Sequence, residues 1–516
     1  MENHQGRQAL LDGWQDSQVS RTTNGGSGGW KDGIPGAPTD PFLQQERWVP
    51  SFWKKLKKDE IRQEANEQLS LALPMVLVNI LQTALLVIPL TFVGHYGELE
   101  LASAALANSI ASVLGLYILL GMASALETLC GQAFGAERYH MLEIYLQRAV
   151  FVLLCICVPM TVLYLNIERV LLLVGQAPEI SAKSAEYVRY LIPVLFANAF
   201  LQPLVKFLQT QSIVKPMVWC GVITVVLHVG LTWLCVHLLG YMGGAVATSI
   251  SFWLNLLILG GYLKWSNSCE ETSIYVYRKE VFSDIGNFLK LALSSAVMIC
   301  LEYWSFEALV LTAGLLANPQ LELSALSICL NTITLNYMIP LGLSAAASTR
   351  VSNELGAGNP NEARRAVIVA LTISLLQSLV VSMAFFLSRH VWGSIFSSDR
   401  ELVDYVATIM PFLSVVCILD GFQGVLSGVI RGAGWQGLAA IINLLAFYGV
   451  GLPFGLFTAF PLGWAAKGLL SGLLLGLGLQ ATIFGILTLR TDWDKEAEAA
   501  YQRQVQASLK DEIDSV

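Results

Sequence analysis

The chain has 516 residues, of which 54% are hydrophobic and only 13% charged, with a formal net charge of −7 at pH 7. Soluble domains carry about 25% charged residues, so this composition excludes an ordinary soluble fold. The acidic balance gives no hint of a nucleic-acid partner, and the chain reads as a polytopic membrane protein.

Residues 1–60 come first and are polar and glycine-rich, with NGGSGG and scattered prolines. They lack the apolar run of a signal peptide, and a disordered cytoplasmic tail is expected. Twelve spans follow, at roughly 69–93, 101–126, 146–167, 187–211, 217–238, 243–264, 290–316, 323–347, 364–388, 404–429, 436–458 and 466–489. Leu101–Leu126, Tyr241–Leu263, Leu323–Thr349 and Gly468–Leu489 contain no Asp, Glu, Lys or Arg. Such runs reach the ~20 apolar residues a crossing helix needs. They are apolar all round, unlike the amphipathic helices of soluble proteins. The predicted organisation is a tail (1–60), a first lobe (61–264), an inter-lobe linker (265–287), a second lobe (288–490) and a charged cytoplasmic C-terminal tail (491–516) able to form a short surface helix.

Lys54, Lys55, Lys57, Lys58 and Arg62 precede the first span, and Arg350, Arg364, Arg365 and Arg431 sit on the same side. The excess of basic residues there predicts cytoplasmic termini. Either the plasma membrane or the vacuolar membrane suits the chain. The nine cysteines are odd in number, mostly within spans, and without a C-x-x-C pair. They read as packing residues, with no disulfide framework, metal or cofactor expected. His228 reads as a satisfied packing residue.

Two stretches are copies of each other. Leu120–Ala136 is LGMASALETLCGQAFGA and Leu341–Ala357 is LGLSAAASTRVSNELGA. Aligned without a gap, Gly121, Ala125, Thr128, Gly135 and Ala136 fall on Gly342, Ala346, Thr349, Gly356 and Ala357. A second pair aligns Tyr187, Val188 and Pro193 with Tyr405, Val406 and Pro411. This period is far longer than a solenoid repeat. It implies two homologous halves, the plan of many secondary transporters, with the substrate site between them.

Ionisable groups within a span are costly, by about 2.5–3.5 kcal/mol at the centre on insertion scales, and mark function. Glu302 and Glu307 lie in the seventh span (MICLEYWSFEALVLTAG) and Asp420 in the tenth (FLSVVCILDGFQGVLSG). In the first half their counterparts are Ile80, Leu85 and Gln202, so chemistry that needs an ionisable group belongs to the second half. A carboxylate in a low-dielectric cavity has a raised pKa, and two sharing a site raise one further. Such acids can carry protons, coordinate a monovalent cation or pair with a cationic substrate. Glu302 and Glu307 stand about 140° apart around a helix, so Glu302 is expected to face the cavity and Glu307 to support or gate it. Candidate cavity residues are Asn331, Gln202, Tyr303, Trp304 and Gln423. Candidate hinges are Pro89, Pro340 and Pro453. Lys206 is expected to snorkel, and Glu127 to fix a loop beside the repeat.

The strings ETLCGQAFGA (127–136), FLQTQSIVKP (207–216), MICLEYWSFE (298–307), STRVSNELGAGNP (348–360) and GFQGVLSGVIRGAGWQ (421–436) resemble the multidrug and toxic compound extrusion (MATE) family. The likeness is to its plant-type DETOXIFICATION branch and covers about residues 60–490. It implies an all-α protein with twelve transmembrane helices in two pseudo-symmetric six-helix lobes forming a V-shaped cavity, and cation-coupled export of organic compounds. It also implies that the family's acids on helices seven and ten are Glu302, Glu307 and Asp420, with protonation of the Glu302–Asp420 pair driving exchange. One departure stands out: where many bacterial and archaeal members carry an aspartate in helix one, this chain has Pro89.

The expected function is a proton-coupled antiporter that exports a small organic compound, a xenobiotic or secondary metabolite, cationic or neutral and amphiphilic. A monomer in contact with membrane lipid is expected. Na⁺ coupling is the alternative. A lipid-linked oligosaccharide flippase shares a related architecture, but its cavity needs basic residues for pyrophosphate that these spans lack. No nucleophile–base pair, phosphate loop or metal cluster supports an enzyme.

Overall fold

The structure, a computed structural model, describes residues 58–266, 279–316 and 318–515. The predicted N-terminal tail up to residue 57 and residues 267–278 of the predicted linker, with Cys269, lie outside the described residues. The chain runs through thirteen principal helices among the described residues: α1 (Lys58–Val93), α2 (Glu98–Gly135), α3 (Tyr139–Leu165), α4 (Pro178–Thr210), α5 (Lys215–Leu239), α6 (Gly243–Trp265), α7 (Ile285–Ala313), α8 (Pro319–Gly356), α9 (Pro360–Trp392), α10 (Arg400–Ala433), α11 (Gln436–Ala459), α12 (Ala465–Arg490) and α13 (Trp493–Ser515). Eleven apolar helical runs among them are long enough to cross a membrane. One of these, Lys215–Trp265, reverses at Gly240 (φ 66°) into α5 and α6, which pack on each other. The crossings are therefore twelve. Prolines open α4, α8 and α9, where the missing N–H costs nothing and the fixed φ is already helical.

The repeated motif explains how the halves meet. A Cβ on Gly121 of α2 would stand 2.6 Å from Cα of Ala296 on α7, and one on Gly342 of α8 would meet Val76 and the Ala72 carbonyl of α1. Gly135 packs on the main-chain oxygen of Asn353, and Gly356 on the main-chain oxygen of Gln132. Gln132 Nε2 donates to Gly432 O (3.2 Å) and its counterpart Asn353 Nδ2 to Thr210 O (3.1 Å). Thr128 donates to Arg431 O and accepts from Gln436 Nε2 (2.7 Å); its counterpart Thr349 accepts from Gln209 Nε2 (3.3 Å). Each of these duplicated positions touches the other half, in reciprocal pairs.

These contacts lie on the face that carries both described termini. Here α1 reaches across the seam. Arg350 Nη2 meets Glu64 Oε2 at 2.7 Å, Arg365 Nη2 meets Glu60 Oε2 at 2.8 Å, and Gln68 Nε2 donates to Ala366 O at 2.7 Å. The buried core agrees. One continuous cluster runs from the first half into the termini-side parts of α7–α10, through Ala296, Val351, Ala366 and Val429, whereas Leu309, Ile333, Met410, Leu413 and Leu470 form a separate core on the far side. The halves are joined on the termini side and diverge beyond it. Farther out, α2 and α7 stay together through stacked Tyr117 and Tyr303 (4.1 Å between ring centroids), Trp304 Nε1 donating to Val113 O (3.1 Å) and Ser109 Oγ donating to Glu307 Oε2 (3.2 Å), and α1 meets α8 where Thr83 Oγ1 donates to Met338 Sδ (3.9 Å).

The helix that carries the first predicted crossing, 69–93, starts earlier, at Lys58, because its polar start is held across the seam by Glu60, Glu64 and Gln68. The C-terminal segment is a helix that buries one face. Trp493, Ala497 and Ala500 are buried, Trp435 Nε1 donates to Glu496 Oε2 (3.1 Å), and Arg503 Nη1 donates to Gln132 Oε1 (2.8 Å). So α13 touches both halves.

Both α2 and α11 contain a π segment, Ser112–Leu116 and Leu444–Gly451. Such wide turns free carbonyls for outside partners. In α2, Ala111 O accepts from Tyr164 OH (2.7 Å) and Val113 O from Trp304. Gly115 leaves room for Tyr164; a Cβ would overlap the phenol oxygen. Gly115→Ala is expected to cost about 1–3 kcal/mol by overpacking, read as a Tm lowered by a few degrees in detergent, with Tyr164→Phe in the same chain restoring part of the loss.

Candidate functional site

Glu302 sits midway along α7, 8% exposed, and faces α8 and α10. Its Oε2 accepts from Gln423 Nε2 (3.1 Å) and its Oε1 from Tyr337 OH (3.4 Å). Gln423 Nε2 also donates to Ser427 Oγ (2.9 Å). Asp420 precedes Gln423 by three residues on α10, hence on the adjoining surface of the helix, and is 1% exposed. Gln423, one turn from Asp420 on α10, is the residue that bonds Glu302. Among the described residues the Oδ2 of Asp420 and the Oε1 of Gln423 have no protein partner. The side of the cluster toward α11 and α12 is amide-lined: Gln480 Nε2 donates to Asn443 Oδ1 (2.8 Å), and Asn443 Nδ2 donates to Met298 O (2.8 Å). Two buried carboxylates thus lie next to the same glutamine, Glu302 bonded to Gln423 and Asp420 one turn from it on α10. Neither has a cation in direct contact among the described residues.

The other predicted residues are elsewhere. Glu307 does not join the pair; it meets Ser109 across the seam, as its bearing on the helix required. Tyr303 and Trp304 turn away from Glu302 to α2. Asn331 is exposed on α8. Gln202 on α4 donates to Asn198 Oδ1 (3.1 Å) and approaches Gln82 (3.5 Å). Beside it a first-lobe pocket is lined by Leu81, Gln82, Leu85, Leu201, Met217 and Asn255. This pocket holds no ionisable group and is separate from the carboxylates. Pro89 is buried in α1, and Gly244 makes room for its ring. A proline at 89 leaves the Leu85 carbonyl without its helical donor, and Thr248 Oγ1 donates to it (3.3 Å). His228 is buried with Nδ1 2.7 Å from Ser251 Oγ. Pro340 is buried inside α8, and Pro453 lies two residues past the π segment of α11.

Two residues need reassignment: Lys206 does not snorkel, and Glu127 does not fix a loop. Glu127 is fully buried in α2. It accepts from Lys206 Nζ of α4 (2.5 Å) and from Arg431 Nε of α10 (2.8 Å), the latter across the seam. Arg431 Nη2 also donates to Ser344 Oγ (2.8 Å). The predicted spans ended at residues 126 and 429, just short of both partners, whereas the helices run on to Gly135 and Ala433. A signal was available: Glu127 aligns with Ser348 and Arg431 with Ile213, the same broken symmetry that singled out Glu302 and Asp420.

The MatE family profile matches residues 74–234 and 294–457, one block in each half. The chain belongs to the MATE family of membrane transporters. Protein DETOXIFICATION 16 of Arabidopsis thaliana is 47% identical over 458 residues, covering 88% of this chain and 94% of that protein. Protein DETOXIFICATION 17 of the same plant is 46% identical, covering 87% and 95%. Among solved structures, the eukaryotic MATE transporter AtDTX14 is 42% identical and superposes with a TM-score of 0.82 over 86% of this chain and 99% of that one. A multidrug resistance MATE transporter in an outward-facing conformation is 17% identical, with a TM-score of 0.74, and shares the fold. The chain is therefore a multi-pass integral membrane transporter of the plant-type MATE branch and not an enzyme.

Proposed function

We propose that the protein is an antiporter that exports small organic compounds in exchange for protons taken up by Glu302 and Asp420. The observation that carries this reading is the buried carboxylate pair of the second lobe, with Asp420 Oδ2 lacking a protein partner. Two like charges in a low-dielectric pocket do not ionise together readily, so the pair is suited to binding and releasing a proton as access alternates. The two halves, 61–264 and 288–490 joined by the linker 265–287, are the moving units in this reading. The termini, on the basic side, are cytoplasmic. The joined termini side then makes the structure outward-facing.

Inward protons supply about 1.4 kcal/mol per pH unit and about 2.3 kcal/mol per 100 mV. The test is reconstitution in liposomes with an organic dye as cargo. Transport is expected to follow an imposed pH gradient and to ignore a sodium gradient at symmetric pH. Transport driven by sodium alone would replace the proton with Na⁺ at the same carboxylates, and transport indifferent to both would end the coupling model.

A further inference from the structure

The bridge of Glu127, Lys206 and Arg431 holds two cations against one anion, all buried or nearly so. A surplus charge in such a place is costly unless a further counter-ion lies near. Asp420 and Arg431 are eleven residues apart on α10, three turns that bring them to nearly the same bearing, about 16 Å apart along the axis. Between them Gln423 bonds Glu302 and Ser427. On the facing helix α8, Tyr337 bonds Glu302 and, two turns on, Ser344 bonds Arg431. The helices are packed tightly here, since a Cβ on Gly428 would overlap Ser344 O. A polar stripe between α8 and α10 thus runs from the carboxylate pair to the seam. The charged and titratable groups facing Arg431 are Glu127 on α2, Lys206 on α4, Glu302 and Tyr303 on α7, Tyr337 on α8 and Arg503 on α13, whose Nη2 reaches Ala433 O at 3.4 Å; Asp420 stands three turns away on its own helix.

We propose that Arg431 is the positioning residue that transmits the charge of the Glu302–Asp420 pair to the termini-side seam, so that proton binding opens that seam. With the pair ionised, its negative charge offsets the surplus cation of the bridge and the seam stays shut. With the pair neutral, the surplus is uncompensated, and the bridge is relieved by opening to water. This rests on the proton-coupled reading.

The test uses the full-length protein in nanodiscs, with spin labels at His140 and Asn361, exposed positions of the two halves on the termini face. In wild type and in Arg431→Lys, the population with the longer inter-label distance is expected to rise several-fold as pH falls. In Arg431→Gln it is expected to be flat with pH; Glu127 still has Lys206 there, and size-exclusion chromatography checks folding. Glu302→Gln, which leaves one carboxylate of the pair, is expected to hold a larger open population than wild type at high pH and to respond to pH only weakly. If Arg431→Gln responds to pH as wild type does while Glu302→Gln does not, the role of Arg431 is overturned and proton coupling survives. If Glu302→Gln also responds normally, the proton-coupled reading falls instead. Loss of the response in Arg431→Lys as well would show that packing, and not charge, matters at this position.

Discussion

Asp420→Asn is expected to abolish concentrative export while leaving the protein folded and able to bind cargo. Asparagine keeps the shape of the side chain on α10 but fixes it neutral, so it cannot return a proton. The size of the effect follows from the driving force. At 1.4 kcal/mol per unit, a pH difference of about two units sustains roughly a 100-fold concentration ratio for one proton per cycle. Liposomes with the variant are expected to equilibrate the dye to a ratio near one. Glu302→Gln is expected to behave alike, since Glu302 bonds the glutamine one turn from Asp420. Glu307→Gln is the contrasting case. Its carboxylate meets Ser109 on α2 at 3.2 Å and lies outside the pair, so it is expected to keep the concentration ratio and lose only a few-fold in rate. An Asp420→Asn protein that still accumulates dye against the gradient removes the carboxylate pair from the mechanism.

The second large effect is expected at Gly356. A Cβ there would overlap the main-chain oxygen of Gln132, and one at Gly135 would overlap that of Asn353. Backbone atoms of two packed helices cannot step aside as a side-chain tip can, so the halves must part. Overpacking of this kind costs about 1–3 kcal/mol, which at 2 kcal/mol shifts an open–closed ratio roughly 30-fold. Gly356→Ala is expected to move the termini face toward its open form at every pH, seen as faster thiol labelling of a cysteine placed in the seam. Gly230→Ala, where nothing lies within 4 Å of the added atom, should leave labelling unchanged. Wild-type labelling rates in Gly356→Ala would mean that the close crossing does not hold the seam.

The architecture was legible because membrane solvation imposes a simple rule: long apolar runs must become helices that satisfy their own backbone. The duplicated motif was legible as a duplication, but its purpose was not, since an alignment pairs Gly135 with Gly356 without telling that each touches the other half. Glu302 and Asp420 could be found because charge within an apolar run is conspicuous. Glu127, Lys206 and Arg431 were hidden at the ends of runs, where charge is ordinary and snorkelling is the usual outcome. Only the packing of α2, α4 and α10 converts three helix-end residues into a buried bridge. The docking of α13 was hidden for a related reason. Its sequence is charged, and a helix that buries only a narrow stripe of Trp493, Ala497 and Ala500 reads like a solvated one.

The reciprocity of the seam bears on ancestry. Gly135 with Asn353 and Gly356 with Gln132 is the signature of an isologous interface, in which one patch binds its own copy. Two free subunits joined in that way would have to repeat any charge they bury, one copy on each side of the dyad. A single Glu127 facing a single Arg431, with Ser348 and Ile213 at the mirrored positions, is closed to two identical chains and open to copies that diverge within one polypeptide. Covalent fusion thus did more than halve the number of chains to assemble. It released each half from mirroring the other, and an asymmetric electrostatic device could then arise in a symmetric frame.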